Sequence, residues 1–158
     1  MTPRFYFSKT TENSDALIPT QANATDTGYD VALFYPESEG VPFVVLPKSF
    51  TLLPLGVKVI CPDGWWLQLN PRSSTFFKKH LISLVGVIDN GYENEIKLAV
   101  YNPGDAAVFL SHNDRIGQLI PMRLEKMDVA EVNAEDFAIL SAARKSSRGT
   151  GGFGSSGN

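Results

Sequence analysis

The chain has 158 residues, 43% of them hydrophobic, which is enough for one domain with its own core and too few to expect two. A formal charge of -3 and a pI near 5.3 exclude the broad basic face of a general nucleic-acid binder, so a polyanion would have to be held at a local site. No apolar run reaches the ~18 residues of a membrane span. The opening MTPRFYFSKTTENSD lacks the basic and apolar regions of a secretory leader, and the single cysteine, Cys61, has no partner for a disulfide or a zinc knuckle. The expectation is a soluble cytoplasmic protein without nucleic-acid or membrane partners.

In chain order, RFYFS (4–8) alternates as a strand, and GYDVALFYP (28–36) is rich in β-branched and aromatic residues up to Pro36. A solvated turn, PESEG, precedes FVVLP (43–47) and SFTLLPLGVKVICP (49–62), the latter interrupted by Pro54 and Gly56. GWWLQLNP (64–71) reads as a packed strand. SSTFFKKH (73–80) follows as two turns of helix with a serine cap. LISLVGVID (81–89), EIKLAVYNPGD (95–105) and AAVFLSHNDRIGQLIPMRLEK (106–126) continue the strand pattern, and NAEDFAIL (133–140) is an Asn-capped helix candidate. Beyond about residue 141 the chain turns to Ser, Arg, Lys and Gly. This order predicts an all-β jelly roll or distorted barrel over residues 1–140, with a flexible C-terminal arm over 141–158.

Five segments carry chemistry. NPRSS (70–74) joins a strand end to the short helix, where Arg72 offers a fork for phosphate oxygens and Ser73 and Ser74 offer hydroxyl donors. Taken alone it reads more readily as a Pro-turn with a serine cap and a surface arginine. GVIDNGYENE (86–95) contains Asn90-Gly91, the strongest short hairpin signal in the chain. Such a mouth exposes backbone groups able to read the edge of a flat ring, with Asp89 and Tyr92 beside it. The alternative makes Asp89 a turn cap and Tyr92 a packing aromatic. In TGYDVA (27–32), Asp30 sits within a strand where an acid is costly unless paired or metal-linked. NDRIGQLIP (113–121) places Arg115 and Gln118 in an otherwise apolar strand. RGTGGFGSSG (148–157) has a linker's composition, yet Arg148 and Phe153 suit a closing lid that neutralises charge and stacks on a ring.

Together and in this order, TGYDVA, PRSS, GVIDNGYENE, RIGQLI and RGTGGFGSSG resemble the five motifs of the trimeric deoxyuridine triphosphatases (dUTPases). The resemblance implies a jelly-roll homotrimer with sites shared between subunits. It also implies hydrolysis of dUTP to dUMP and pyrophosphate by water attacking the α-phosphorus, aided by Mg2+ held mainly through the substrate phosphates. Asp89 then matches the water-activating carboxylate, and Tyr92 the aromatic beneath the deoxyribose. The hairpin around 84–97, with Ser83, Gly86, Val87, Ile96 and Lys97, matches the uracil-binding stretch. Arg72, Ser73, Ser74 and Gln118 match the phosphate ligands, and Asp30 the acid that helps hold a magnesium-bound water. Arg148, Phe153, Gly154, Ser155 and Ser156 match the arm that covers uracil and meets the γ-phosphate. Gly91 stands where the family has Asp. Asn94 stands where it has Gly, whose left-handed conformation an Asn can take at some cost. Ser83 replaces an Asn and Gly117 an Ala. Two other readings are a relative of the dCTP deaminases and a non-catalytic nucleotide-binding module on the same fold.

Overall fold

The computed structural model describes residues 2–12, 14–36 and 40–144. The described residues form eleven strands and two helices: β1 (Tyr6–Lys9), β2 (Tyr29–Ala32), β3 (Phe43–Val45), β4 (Phe50–Pro54), β5 (Val57–Ile60), β6 (Trp65–Pro71), α1 (Ser73–Phe77), β7 (Ile82–Ser83), β8 (Gly86–Ile88), β9 (Lys97–Tyr101), β10 (Val108–Leu110), β11 (Arg115–Arg123) and α2 (Ala134–Ala143). The architecture is mostly β, as the strand pattern predicts. The strands form small antiparallel sheets rather than one closed barrel: β1–β5, β3–β10, β4–β9–β7 and β2–β11–β6–β8. The chain divides after Glu125 into two compact units.

Side-chain alternation decides which face each strand buries. In β5, Val57 and Val59 are buried while Lys58 and Ile60 face out, and in β9 Leu98 and Val100 are buried beside an exposed Lys97. These residues join Leu33, Leu53, Leu69, Leu81, Ile96 and Ile116 in one core cluster. Cys61 belongs to it, and burial pushes its thiol pKa up, away from the reactive thiolate. On the periphery, His112 accepts the Tyr35 N–H at Nδ1 (3.0 Å) and meets Asp15 through Nε2 (2.7 Å). That hydrogen bond holds the exposed Asp15 carboxyl below its ordinary pKa.

The backbone divides several of the apolar runs, one of them at Gly56, where the sequence already marks an interruption. Residues 49–62 split into β4 and β5 at Gly56, whose φ is +67°, and 106–126 split into β10 and β11 around Asn113 at φ 63°. Residues 81–89 serve two sheets, since β7 pairs with β9 and β8 with β6. A Cβ at Gly56 would lie 2.4 Å from Phe34 Cγ and 2.7 Å from Phe34 Cβ, and the Gly56 N–H donates to Glu95 Oε1 at 3.0 Å. Gly56→Ala therefore meets both left-handed strain and a clash with the Phe34 side chain, and we expect it to cost about 2–3 kcal/mol of stability. Urea unfolding should show a lower midpoint at unchanged slope.

Helix α1 is shorter than expected. It ends at Phe77, its cap position is Arg72 in extended conformation, and no side chain caps it. Ser73 already lies inside the helix, so the predicted serine cap is not made. Lys78 and Lys79 follow the helix, and His80 turns left-handed at φ 54°. In the second unit α2 starts as predicted, with the Asn133 side chain accepting the Asp136 N–H at 2.9 Å. Glu135 and Asp136 in its first turn suit the helix dipole.

Candidate active site

Sheet register builds the site. Asp30 on β2 lies opposite Gln118 on β11, and Gln118 lies opposite Asn70 on β6, so three segments distant in sequence share one row. Asp30 neighbours the buried Val31, and its carboxylate is only 12% exposed. Such a charge needs partners. Arg72 Nη1 reaches Asp30 Oδ2 at 3.1 Å and Arg115 Nη1 reaches the same oxygen at 3.3 Å. Arg72 follows directly on β6, so strand pairing carries its guanidinium to the carboxylate. The Gln118 side chain donates to Pro71 O at 3.3 Å.

These groups open onto a cleft of about 310 Å³ lined by Ala22, Asp26, Thr27, Gly28, Asp30, Arg72, Ser73 and Gln118. Arg72 lines the cleft and Arg115 backs Asp30 from outside it, so the Asp30 charge is compensated and guanidinium donors remain for an anion. Ser73 and Gln118 add neutral donors, so the cleft suits an anion with several oxygens. Its walls are polar, and Ala22 is the one apolar residue among them, which fits phosphate better than a base ring. Gly28 is required for closeness, because a Cβ there would come within 2.0 Å of Gln118 Oε1. Gly28→Ala must push Gln118 off Pro71 and out of the cleft. With one ligand lost, we expect KM for a polyphosphate substrate to rise about tenfold with little change in thermal stability.

Two further residues escaped the sequence reading. Thr75 is fully buried, and its hydroxyl donates to Ile116 O at 2.6 Å, pinning α1 and therefore Ser73 to β11. Asp26 adds a second carboxylate to the cleft, with Oδ2 accepting from the Asn23 backbone and side-chain amides. Thr75 left no sequence signal beyond being a hydroxyl among aromatics. Asp26, two residues before Gly28, was within reach of the motif.

The other predicted residues lie elsewhere. Strand β8 runs antiparallel to β6 with Gly86 opposite Leu69 and Ile88 opposite Leu67. Asp89 thus leaves the sheet beside Trp66, at the end of β6 away from Arg72. Six residues of strand separate those positions, about 20 Å at ~3.3 Å per residue. The Asn90-Gly91 pair does not make a two-residue hairpin. Its turn is closed by the Tyr92 N–H on Asp89 O at 3.0 Å, and neither central residue has positive φ. Pairing between the two arms occurs only further back, where β7 meets β9 and Leu84 N–H reaches Ala99 O. The hairpin is wide because β8 between them is taken up by β6. Asn94 likewise lies outside the left-handed region.

Within this wide loop the Tyr92 hydroxyl donates to Glu95 O at 2.9 Å, and Lys97 Nζ lies 3.4 Å from Glu95 Oε2. Val87 is exposed beside Gly86. Ser83 donates to Ala99 O at 2.9 Å and Leu84 O at 3.0 Å, bonds that serve the loop itself. Ile96 corrects its expected role in substrate contact. Its side chain is fully buried, and its N–H and C=O are engaged by Val57 O and Leu55 N–H, which makes it a core residue. Ser74 is half-buried in α1, away from the cleft lining, and its carbonyl accepts from Lys78 and Lys79. Arg148, Phe153, Gly154, Ser155 and Ser156 lie outside the described residues.

Fold and cleft define the class: an antiparallel β protein with a polar cleft holding Arg72 and Asp30 at one sheet end and a carboxylate-bearing turn at the other. A sequence profile of the dUTPase family matches residues 14–157, and the chain belongs to that family. It is 34% identical over 143 residues to the deoxyuridine 5'-triphosphate nucleotidohydrolase of Gloeobacter violaceus, spanning 89% of this chain and 88% of that one. It is 32% identical over 155 residues to that of Arabidopsis thaliana, spanning 98% and 84%. Among solved structures, the dUTPase of Staphylococcus bacteriophage 80alpha with dUpNHpp superposes at a TM-score of 0.81 over 99% of this chain and 100% of that one, at 23% identity. A point-mutant dUTPase from phage phi11 of S. aureus, described with a structural Mg(II) ion, superposes at 0.70 over 82% and 96%, at 21% identity.

Proposed function

We propose that the chain hydrolyses dUTP to dUMP and pyrophosphate, the phosphates lying in the Arg72 cleft and the water being directed by Asp89. The observation that carries the reading is the Asp30–Gln118–Asn70 row, which gathers three of the five motif segments around one anion cleft. Arg72 and Ser73 bind phosphate oxygens, with Gln118 alongside. Asp30 orients Arg72 through its ion pair. Asp89 is exposed, and among the described residues its carboxylate has no hydrogen-bond partner, so it is open to a water molecule. Tyr92 supports the sugar, and the loop over 84–97 presents backbone groups to uracil. Such a site can reject cytosine by roughly 10⁴ or more through the base edge, whereas thymine must be excluded by a wall against one methyl. Arg148, Phe153, Gly154, Ser155 and Ser156 form the lid in this reading, on the strength of their motif alone.

The cleft fits a hard divalent cation brought in by the substrate. Both arginines take Asp30 Oδ2, and the Asp30 and Asp26 carboxylates, both in the cleft lining, are the groups that would hold a metal-bound water. Among the described residues no cluster of three or more His, Cys, Asp or Glu side chains could cage a metal, so the phosphates must supply most ligands. Bound there, Mg2+ supplies neutralisation of charge developing on the phosphate oxygens.

A homotrimer with shared sites is part of the proposal. What supports it is the ~20 Å along β6 between the Arg72 and Asp89 positions, too far for one chain to bring both to one phosphorus. Pyrophosphate release measured across dUTP, dTTP, dCTP and UTP tests the whole reading. Preference for dUTP is expected. Ammonia release from dCTP would establish the deaminase reading instead, and tight dUTP binding without turnover the non-catalytic one. No helix among the described residues is long and apolar enough to cross a membrane.

A further inference from the structure

We infer that Asn90 is a positioning residue for Asp89, acting through the turn that follows β5; the inference rests on the proposed role of Asp89. The backbone of the Asp89–Tyr92 turn does not call for an Asn-Gly pair. Neither central φ is positive, and a Cβ at Gly91 would meet nothing within 4 Å. The Asn90 side chain is what sets the pair apart. Its amide nitrogen donates to Pro62 O at 2.9 Å and Trp65 O at 3.0 Å, with Cys61 O at 3.4 Å.

That acceptor cluster belongs to a closed turn. The Pro62–Trp65 turn is closed by the Trp65 N–H on Pro62 O at 3.1 Å and holds Gly64 at φ +75°. Three carbonyls converging on one point demand a neutral group with two donors, which among side chains of this length only asparagine offers. An aspartate would set lone pairs against lone pairs, and a serine carries one donor.

Asp89 therefore sits between two fixed neighbours. Ile88 before it is buried and paired with Leu67, and Asn90 after it is bonded across to the β5–β6 turn. Its own carboxylate receives no hydrogen bond among the described residues. With no bond of its own, the carboxylate takes its place from the backbone that carries it, and Asn90 sets that backbone on one side.

The test is a double-mutant cycle in the full-length chain. Asn90→Ala is expected to lower kcat for dUTP about 10- to 100-fold, the scale of a misplaced catalytic group. KM, and the affinity for the non-hydrolysable α,β-imido analogue of dUTP, should stay within about twofold, because Asp89 acts on the transition state. Asn90→Asp keeps the size but not the donors. It should behave alike and serves as the second test if the alanine chain melts below the assay temperature. On an Asp89→Asn background, Asn90→Ala should cost nothing further, since its effect passes through a group already removed. A kcat for Asn90→Ala within about twofold of wild type, or a full additional loss in the double variant, would overturn the proposal and leave Asn90 a structural residue. Wild-type turnover by Asp89→Asn alone would instead overturn the role of Asp89 itself.

Discussion

Asp89→Asn should lower kcat by about two to four orders of magnitude, the range of a lost general base, while leaving nucleotide affinity nearly unchanged. The substitution keeps the shape of the side chain and removes only its capacity to take a proton. Asp89 is exposed and its carboxylate has no hydrogen-bond partner among the described residues, so little stability depends on the side chain. Folding and assembly should be indistinguishable from wild type. A calorimetric Kd for the imido analogue together with single-turnover rates separates binding from chemistry. Turnover within about tenfold of wild type would point to another group as the base, because positioning alone retains little rate without proton transfer.

How far the site was legible in the sequence depended on whether a signal was local. Short runs rich in β-branched and aromatic residues announce an all-β fold, and Asp30 in an apolar strand announces a charge with something to pair. Both expectations hold, because the physics sits in neighbouring residues. The register that sets Asp30 against Gln118 and Gln118 against Asn70 has no local signature, so the meeting of Arg72 and Arg115 on one carboxylate oxygen became visible only in the fold.

Asn90 shows the opposite failure. Its neighbour Gly91 made it look like a hairpin residue, whereas its bonds run to Pro62 and Trp65, more than twenty residues away. Ile96 was placed at the substrate by its position in a motif, yet core packing claims the side chain. The run 81–89 looked like one strand because a continuous apolar segment carries no mark of where the chain leaves one sheet for another.

Arg72→Ala should reduce kcat/KM for dUTP by about 10²–10³, and Arg72→Lys should recover little of it. Two losses combine. The phosphate loses a planar two-toothed donor, which a lysine cannot reproduce. Asp30, 12% exposed, is left with Arg115 alone at 3.3 Å, so an under-compensated carboxylate now faces an incoming polyanion. Asp30→Asn in the same chain should restore part of the affinity by removing that repulsion. Recovery in this double variant separates electrostatics from general damage. The Arg72→Ala chain also tests whether sites are shared. If Arg72 of one subunit serves Asp89 of another, inactive Arg72→Ala and Asp89→Asn chains refolded together at equal ratio should regain activity. Random assembly pairs intact partners in about a quarter of the sites, so about a quarter of wild-type turnover is expected. No recovery in mixtures shown to contain both chains would place both groups on one subunit. The strand geometry of β6 argues against that outcome, since it holds them at opposite ends.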